Sequence, residues 1–557
     1  MLRSEICDTN RLPLGRIDFS SIRKRNKIYV DKTELILKIA EQDSPIFFSR
    51  PRRFGKSLLI NTLHSLFEKG LEDFHCLDIE KKWTDTTYKV IHLDFSRMVE
   101  DNIEDIRYKL SKKIIQQFSV YNICFNFEER DFMYPDIILD EIFQKLSDYS
   151  IVLLIDEYDA PLTHNIDKID ILHDITNIFD SFYATIKQYT DKFRFIFITG
   201  VTKASHVSIF SAFNNLKDLS LRKEFNSLLG FTSDDLVQYF DVYVENAARI
   251  LNMSKNDVYT RLEQYYDGFQ FSINAKETLY NPWSLLSFFD SPEEGFKNYW
   301  FKSSGSSSVI MQYLKISDSF TSLTCEYNET CFSEDVISDR HEISSIPIYI
   351  LLLQTGYLTI RKKSDGIARL VFPNAEVEES ILKLAFMANN LEPDIKFSDD
   401  FQMLSLFIDQ KNLCEIIRVF NEILNECVSI LSNTFMNERS IRDILYAALP
   451  QKINLQKIKE RETSKGFSDL ELLTQKSHMV IEFKRAKNDR DAQASLAAAI
   501  EQLRRKGYGV GAFKDRTLYR VAMVISTEKK AILPEFCKEV LFDELLCQSL
   551  ASPFPCP

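Results

Sequence analysis

The chain has 557 residues, of which 45% are hydrophobic and 27% charged, and its net charge of −12 argues against indiscriminate binding to nucleic acid. No run of about 18 uncharged apolar residues occurs and MLRSEICDTN lacks the apolar core of a secretory signal, so we expect roughly three or four soluble domains and no membrane partner. The ten cysteines form no CxxC pair and no cluster with histidine, which argues against disulfides and structural zinc and predicts a cytoplasmic protein.

From about residue 28 to residue 230 the sequence alternates between short apolar runs and amphipathic stretches. The apolar runs are typical of β-strands and read IYV, PIFFS, YKVIHLDFS, SIVLLIDEY and FRFIFITG; KSLLINTLHSLFEKG is one of the helical stretches between them. Continuous apolar strands separated by helices indicate a parallel sheet that is covered on both faces. The pattern predicts an α/β domain over residues 1–230.

The stretch SRPRRFGKS, residues 49–57, follows the strand PIFFS and precedes a helix. This is the context of a phosphate-binding loop. Gly55 would allow the backbone to approach a phosphate, Lys56 would supply a positive charge, and Ser57 would supply a hydroxyl for Mg²⁺. The stretch therefore predicts ATP binding, and a basic turn without a ligand is the alternative.

Arg50 stands where the pattern GxxxxGK[ST] has its first glycine. Arginine enters the left-handed region of backbone space less easily than glycine, so the turn needs a different shape. In such a turn Arg52 or Arg53 could reach a phosphate.

The run IVLLIDEYD is a buried strand that ends in two acids. Asp156 could hold Mg²⁺ and Glu157 could orient the attacking water. Such a run alone is common, but its position about 100 residues after GKS supports a nucleotide site. The next strand ends with Thr199 and Thr202, which could sense the terminal phosphate or belong to an ordinary turn.

Residues 231–430 are mainly helical in pattern, as in SDDLVQYFDVYVENAARIL and NLCEIIRVFNEILNECVSIL. A serine-rich stretch from residue 303 predicts a loop or join. We interpret this part of the chain as a helical lid or linker.

Residues 431–535 form a second α/β pattern, and residues 536–557 are interpreted as a tail. A helix from Asn437 leads to strand-like runs near 453–459, 467–473 and 478–485, then a helix at about 491–506 and the strand RVAMVIS. Residues 451–530 contain 18 Lys and Arg against 10 Asp and Glu, a net charge of +8, so the rest of the chain carries −20. This asymmetry suggests a polyanionic partner for the C-terminal part, and a solvated basic surface is the alternative.

Cleavage of a phosphodiester with metal needs converging carboxylates and a nearby cation. FSDLELLTQKSHMVIEFKRAK offers Asp469, then Glu482 and Lys484 two residues apart on one strand, where they share a face. If the two runs pair as a hairpin, the three side chains can meet at one edge.

Five stretches of the N-terminal part resemble the AAA-ATPase-like family of P-loop proteins: YVDKTELI, SRPRRFGKSLL, LLIDEYDAPL, ITGVTKASHVSIFSAFNNLKDLS and YNPWSLLSFF. In that family the arginine-rich form RPRRFGKS is usual. The resemblance implies ATP and Mg²⁺ as cofactors, with phosphate, Mg²⁺ and water roles for Lys56, Ser57, Asp156 and Glu157. The motif Asn281-Pro282-Trp283 also matches, and a helix cap explains it equally well.

The C-terminal part resembles the PD-(D/E)XK nuclease superfamily in the form fused to that ATPase-like domain. By this resemblance Asp469 and Glu482 match metal ligands, Lys484 the catalytic lysine, and Glu438 the acid on the preceding helix. Ser468 stands where the superfamily name has proline. Residues expected to contact nucleic acid are Gln502 and Tyr508, which match similar residues of relatives, and Arg485, Lys487, Arg504 and Arg505, for which a solvated surface is equally compatible.

Together these patterns predict a P-loop NTPase with a parallel sheet, a helical middle region and a C-terminal PD-(D/E)XK-type α/β domain. The predicted function is that of an ATP-regulated, Mg²⁺-dependent nuclease acting on nucleic acid, with DNA as the expected substrate. The alternative is an NTP-dependent switch that binds nucleic acid without cutting it. Self-association is compatible with a P-loop fold, and the oligomeric state stays open.

Overall fold

The computed structural model describes residues 8–15, 18–123, 125–203, 213, 215–303, 309–313, 331–343, 345–388, 403–426, 441–442, 445–446, 449, 455–459, 462–463, 466–510, 512–513 and 515–540. The chain divides into two compact units, Met1–Ile381 and Leu382–Pro557. The finer division into segments ending at residues 230, 430 and 535 stays a prediction.

A five-stranded parallel sheet organises the N-terminal part of the first unit. Its strands are β1 (Ile46–Ser49), β2 (Lys89–Asp94), β3 (Ile151–Asp156), β4 (Phe193–Gly200) and β5 (Lys217–Asp218). They lie in the order β2-β3-β4-β1-β5, and each neighbouring pair is parallel. Every residue of β1, β3 and β4 is buried, as expected for strands covered on both faces. The predicted α/β fold is confirmed.

Helices alternate with these strands. They are α1 (Phe19–Lys24), α2 (Thr33–Ala40), α3 (Lys56–Lys69), α4 (Ile103–Ser119), α5 (Pro135–Phe143), α6 (Ala160–His164) and α7 (Ile169–Gln188). Helix α3 packs against β2 and β3, and α4 packs against β2. Because the strands are parallel, their carboxyl ends, including the loop before α3, meet at one edge of the sheet.

The predicted strand IYV, residues 28–30, is not formed. Ile28 and Val30 instead pack into a hydrophobic cluster that includes Leu236 and Phe240. A short apolar run becomes a strand only where a neighbouring strand offers backbone partners, whereas here a helix buries the side chains. The prediction of this strand was wrong for that reason.

The middle of the chain is mainly helical, as predicted. Its helices are α8 (Ser233–Ile250), α9 (Lys255–Tyr266), α10 (Pro282–Asp290), α11 (Tyr299–Ser303), α12 (Glu334–Ser338), α13 (Ile348–Thr355) and α14 (Ala375–Ala388). An antiparallel sheet that the sequence did not predict joins β6 (Cys331–Ser333), β7 (Thr359–Ser364) and β8 (Ile367–Val371) in the order β6-β8-β7. Most of the serine-rich stretch after residue 303 lies outside the described residues.

The second unit contains a mixed sheet and the helices α15 (Leu404–Asp409), α16 (Leu413–Glu426) and α17 (Asp489–Lys506). Its strands are β9 (Gln456–Lys459), β10 (Glu462–Thr463), β11 (Gly466–Phe467), β12 (Leu470–Leu473), β13 (Ser477–Ala486), β14 (Thr517–Ser526) and β15 (Ala531–Val540). The sheet order is β15-β14-β13-β12-β9, and β10 pairs with β11. Only β13 and β14 are parallel within this five-stranded sheet, and α17 provides the crossover that parallel neighbours need.

The second unit adds two strands to the predicted order. The strands predicted near 453–459, 467–473 and 478–485, the following helix and RVAMVIS occur as expected, whereas β10 and β15 were not predicted. The predicted helix from Asn437 lies mostly outside the described residues.

None of the helices in the described part of the chain combines the length and the apolar composition needed to cross a bilayer. Helix α7 has 20 residues but carries Asp170, Asp174, Asp180 and Lys187.

Candidate nucleotide and nuclease sites

The loop between β1 and α3 closes around the side chain of Lys56. Gly55 has a φ of +100°, a left-handed conformation that glycine adopts without strain. The Lys56 ammonium donates hydrogen bonds to the carbonyl oxygens of Arg50 (2.9 Å) and Pro51 (3.1 Å). Burial lowers the pKa of Lys56, and nearby carboxylates oppose this effect. The charge is thus held beside the N-terminus of α3, where anions bind favourably.

Arg50 is buried, with 2% of its surface exposed. Its guanidinium donates hydrogen bonds to the carbonyl oxygens of Ser220 (2.7 Å) and Phe225 (2.9 Å). It also lies 4.2 Å from the ring centres of both Phe48 and Phe271. Burial lowers the pKa of Arg50, while Asp218 raises it. Arg50 is therefore bound inside the domain and does not line the cavity beside the loop.

The backbone at residue 50 explains why glycine is not needed there. The described residues with a positive φ include Arg53 (67°) and Gly55, but not Arg50. The loop thus turns near its end, and arginine at residue 50 keeps an ordinary conformation.

Arg52 and Arg53 both line the cavity beside the loop. The Arg53 guanidinium lies 4.4 Å from the ring centre of Trp283, close enough for a cation–π contact. Burial lowers the pKa of Arg53, as does Arg52, while Glu157 raises it. The Arg53 side chain is thus held against an aromatic ring at the edge of the cavity.

The two acids after β3 lie next to the loop. The Asp156 carboxylate accepts a hydrogen bond from the Ser57 side chain and another from the Glu157 backbone N–H (2.9 Å). Burial raises the pKa of Asp156 to about 6, while Ser57 and Lys56 lower it. Hydroxyl and carboxylate oxygens are ligands that Mg²⁺ prefers, so Ser57 and Asp156 fit a magnesium–nucleotide complex. The structure brings together the four residues that the sequence singled out here.

Asp159 is a further buried acid at this edge that the sequence analysis did not identify. Its carboxylate accepts hydrogen bonds from the backbone N–H groups of Val201 (3.2 Å) and Thr202 (2.6 Å). It also accepts from the Thr202 hydroxyl (2.7 Å), and the Tyr158 hydroxyl donates to the Thr202 carbonyl (2.8 Å). These contacts join the ends of β3 and β4. The only sequence signal was a third acid in DEYD.

The two threonines considered as phosphate sensors both have partners within the protein. The Thr199 hydroxyl donates to the Phe48 carbonyl oxygen on the neighbouring strand (2.6 Å), and the Thr202 hydroxyl donates to Asp159. Both side chains therefore contribute to the structure of the sheet edge.

A cavity of about 490 Å³ opens beside the loop. Its polar part is formed by residues 52–57 and Glu157. Its apolar part is lined by Leu14, Val30, Ile36, Leu228, Leu229, Phe231, Trp283 and Leu286. The volume lies in the range of small-ligand sites, and a lining that combines the loop residues with apolar side chains suits a nucleotide with its phosphates at the loop.

The motif Asn281-Pro282-Trp283 forms the start of α10. The Asn281 side chain accepts a hydrogen bond from the Ser284 N–H (3.0 Å), and Pro282 occupies the first turn. The helix cap thus orients Trp283 at the cavity wall.

In the second unit, β12 and β13 pair as an antiparallel hairpin, as the sequence argument required. Leu470 lies opposite Ile481, so the same register places Asp469 opposite Glu482. Alternation along β13 then puts Glu482 and Lys484 on one face of the sheet, and Asp469, which comes just before β12, is level with Glu482.

Hydrogen bonds hold these three side chains. The Asp469 carboxylate accepts a hydrogen bond from the Phe483 backbone N–H (2.8 Å). The Lys484 ammonium donates to Glu482 Oε1 (2.9 Å) and to the Phe483 carbonyl (3.2 Å). Two carboxylates and one ammonium therefore meet where β12 begins.

Tyr508 and Gln502 lie near the carboxylates. The Gln502 amide is 3.5 Å from the Tyr508 hydroxyl. Burial raises the pKa of Tyr508, Gln502 and Lys484 lower it, and Glu482 and Asp469 raise it further. These two residues thus lie close to the carboxylates, and their predicted contact with nucleic acid stays a prediction.

Arg442 is a neighbour of Asp469 that the sequence analysis missed. Its guanidinium is 3.9 Å from the Asp469 carboxylate, and its side chain is buried. It occurs four residues after Glu438, so helical spacing could have suggested it. Glu438 itself lies outside the described residues.

The other basic residues predicted to contact nucleic acid are exposed. Arg485 follows Lys484 on β13 and therefore projects from the opposite face of the sheet. Lys487 comes just after this strand, and Arg504 and Arg505 occupy the last turn of α17. These four residues are not part of the carboxylate cluster.

Within the described residues, no group of three or more His, Cys, Asp or Glu side chains converges as a metal site. The pair formed by Asp469 and Glu482 supplies oxygen ligands of the kind that Mg²⁺ prefers. Because Mg²⁺ usually keeps several waters, two carboxylates fit it.

Comparisons with known proteins agree with this arrangement. Residues 13–210 match the family described as "Predicted AAA-ATPase", and residues 436–535 match the PD-(D/E)XK nuclease superfamily. Both resemblances are confirmed, in N- to C-terminal order. The chain thus carries a match to the AAA-ATPase-like family followed by a match to the PD-(D/E)XK nuclease superfamily.

One similar protein comes from Azotobacter chroococcum mcd 1 and is named "Uncharacterized protein in vnfD 5'region". It is 28% identical over 515 residues, which cover 89% of this chain and 93% of that protein. The similarity therefore reaches into both matched regions. The domains indicate ATP binding and nuclease activity, with nucleic acid as the class of substrate.

Proposed function

We propose that this protein is an ATP-regulated, Mg²⁺-dependent nuclease that cleaves DNA. The observation that carries the proposal is the meeting of Asp469, Glu482 and Lys484 on one hairpin. The same chain has a phosphate loop that opens into a cavity of nucleotide size. The presence of a nuclease centre and a nucleotide site in one chain favours a nuclease whose activity depends on which nucleotide is bound.

In the nucleotide site, Lys56 and the N–H groups at the start of α3 bind the phosphates. Ser57 and Asp156 would hold the magnesium ion that accompanies ATP, and Glu157 would orient the water that attacks the terminal phosphate. Arg52 and Arg53 line the same polar end, within reach of the phosphate chain. The apolar end of the cavity encloses the base and excludes water from it.

In the nuclease site, Asp469 and Glu482 would hold Mg²⁺, together with Glu438. A metal held there would supply an activated water and offset negative charge on the phosphate. Lys484 lies beside Glu482 and is the cation for the developing negative charge. Gln502 and Tyr508 contact the nucleic acid close to the cut.

Exposed basic residues extend the nucleic-acid surface. Arg485, Lys487, Arg504 and Arg505 bind backbone phosphates and bring DNA to the centre. We propose residues 1–230 as the ATPase domain, 431–535 as the nuclease and 231–430 as the connecting helical region. Association of the chain with itself is compatible with this scheme.

The direct test is cleavage of plasmid and single-stranded DNA by the full chain with Mg²⁺, with and without ATP. We expect the wild type to cut and Asp469→Ala to be inactive. Lys56→Ala should alter the ATP dependence, because the phosphates lose their cation. Asp491→Ala, an exposed acid on α17, and Lys69→Ala, at the far end of α3, are the matched controls and should behave as the wild type.

Nucleotide binding can be followed separately through Trp283. Trp83 and Trp300 are buried, whereas Trp283 lines the cavity, so ATP should change its fluorescence. If the wild type binds and hydrolyses ATP but leaves DNA intact under all conditions, the DNA-nuclease proposal is wrong. RNA cleavage, or a switch that binds nucleic acid without cutting, would then be the better account.

A further inference from the structure

A buried chain of hydrogen bonds lies on the same sheet face as the carboxylate cluster. The Ser468 hydroxyl donates to Glu471 Oε1 (2.8 Å), and Glu471 Oε2 is 2.7 Å from His478 Nε2. Ser468 and Glu471 have no exposed surface, and His478 has 1%. All three are polar side chains in the interior of the second unit.

Apolar groups pack against part of this hydrogen-bonded trio, and the buried side chain of Arg520, which lies opposite Val480, is on the same face of the sheet. The His478 ring lies 5.1 Å from the ring of Phe513, edge to face. Gly509 also packs close by, since a Cβ there would be 3.0 Å from the His478 ring and from Val480. Burying a carboxylate and an imidazole in such a site costs free energy unless they bond to each other. Their pairing therefore suggests a role that apolar residues could not fill.

The series of hydrogen bonds ends at Ser468, the residue before Asp469. Strand β11 ends at Phe467 and β12 begins at Leu470, so Ser468 and Asp469 lie in the gap between two strands. Ladder hydrogen bonds do not fix the backbone in such a gap, and side-chain bonds have to do so. Asp469 is tied by its carboxylate to the Phe483 N–H, and Ser468 is tied by its hydroxyl to Glu471.

We propose that Ser468, Glu471 and His478 are positioning residues that hold Asp469 in place for metal binding opposite Glu482. This inference rests on the proposed metal-dependent nuclease function. His478 fixes the Glu471 carboxylate, Glu471 accepts the Ser468 hydroxyl, and Ser468 fixes the backbone that carries Asp469. Proline, which the superfamily name has at this position, would restrict the backbone through its ring, and serine restricts it here through a hydrogen bond. Partners of this kind around metal ligands typically change metal affinity 10- to 100-fold.

The test measures Mn²⁺ binding to the full chain by calorimetry, without nucleotide or DNA. The Asp469→Ala protein identifies the binding that belongs to this site. We expect Ser468→Ala to weaken that binding on the order of tenfold. Ser477→Ala, a buried serine at the other end of the same hairpin, is the matched control and should bind as the wild type.

Variants of Glu471 test whether Ser468 acts through it. Glu471→Leu removes the acceptor and should weaken Mn²⁺ binding at least as much as Ser468→Ala. Adding Ser468→Ala to Glu471→Leu should cause no further loss, because the bond is already gone. Glu471→Gln keeps an acceptor for Ser468 and a donor for His478, and should restore most of the affinity.

Each result decides the inference. Wild-type affinity in Ser468→Ala, additive losses in the double variant, or no rescue by Glu471→Gln would overturn it. If Asp469→Ala removes no Mn²⁺ binding, the proposed metal site and the inference both fail. If the binding results are as expected but the wild type cuts no DNA, the nuclease proposal fails while the positioning role stands.

Discussion

At the scale of single residues, burial decides what an arginine does. In the loop after β1, Arg50 is enclosed between two aromatic rings and bonded to three carbonyl oxygens, whereas Arg52 and Arg53 line the cavity. The sequence shows three arginines within four residues of one another. Only the contacts in the folded protein show that one arginine stabilises the domain while the other two are placed to contact a ligand.

A first prediction concerns Arg50→Gly, which restores the general phosphate-loop pattern. We expect it to destabilise the protein by about 2–5 kcal/mol, because three carbonyl acceptors lose their donor and a void opens between the rings. All three tryptophans lie in the first unit, so denaturant unfolding followed by their fluorescence measures this loss. Arg52→Gly is the control, and equal stability of both variants would contradict the structural role of Arg50.

A second prediction concerns Gly200, at the end of β4. A Cβ there would lie 2.4 Å from the Asp159 carboxylate and 2.5 Å from the Tyr158 ring. Gly200→Ala should therefore cost about 3 kcal/mol, the upper end for overpacked sites, and reduce ATP hydrolysis by displacing the acids after β3.

Gly366→Ala is the comparison for this variant. Gly366 has a φ of +70° but nothing within 4 Å, so alanine there should cost only about 1–2 kcal/mol of backbone strain and leave hydrolysis unchanged. A smaller loss for Gly200→Ala than for Gly366→Ala would count against the close packing of Asp159.

At the scale of elements, side chains from distant parts of the chain complete the helix ends. Helix α11 begins at Tyr299, and the buried Glu376 carboxylate accepts the N–H groups of Tyr299 (2.6 Å) and Trp300 (2.9 Å). Glu376 lies on α14, more than 70 residues later. A cap supplied from so far away cannot be recognised by local spacing.

A third prediction follows from this cap. Burial raises the pKa of Glu376 to about 8, while the bonded N–H groups lower it, and an unfolded glutamate has a pKa of about 4.3. The folded state therefore holds the proton more tightly, and the free energy of unfolding should fall as pH rises from about 4.3 to 8. Glu376→Gln should make this dependence shallower and should be the more stable protein above pH 8.

Tryptophan-monitored unfolding across this pH range makes the measurement. Glu378→Gln, on the same helix but partly exposed, is the control and should keep the wild-type slope. An unchanged slope in Glu376→Gln would show that another group carries the dependence.

At the scale of the whole molecule, the charges are segregated along the chain. Residues 451–530 carry +8 in a protein of net charge −12. The net charge of the whole chain does not reveal this basic segment. A DNA molecule would interact with the electrostatic field of the nearby residues, which is set by the local charge.

The fourth prediction concerns the salt dependence of DNA binding. Replacing both Arg504 and Arg505 with alanine should lower the slope of log affinity against log salt by about 2, if each arginine neutralises one phosphate. Binding is measured in the inactive Asp469→Ala protein, so that DNA stays intact. The control replaces Lys362 and Lys363, two exposed lysines of the first unit, and should keep the slope. An unchanged slope in the arginine variant would remove these residues from the interface.

Much of the organisation could be predicted from local pattern. Strands β1 to β4 can be recognised as apolar runs, because a strand that is buried on both faces has a continuous apolar sequence. The strand–loop–helix around Lys56 can be recognised from its short motif. The register of β12 and β13 could be anticipated from Asp469 and Glu482. The strand IYV was predicted wrongly, since its partner is a helix more than 200 residues away.

The sequence by itself determined the class of domains, their order and the chemical types present at each site, because these depend on residue type and on periodicity. Only the tertiary structure decided that Arg50 is buried, that Arg442 approaches Asp469, and that Ser468 is bonded through Glu471 to His478. Such contacts join residues whose distance along the chain says nothing about their distance in space. Packing and hydrogen bonding set those distances, and they exist only once the chain has folded.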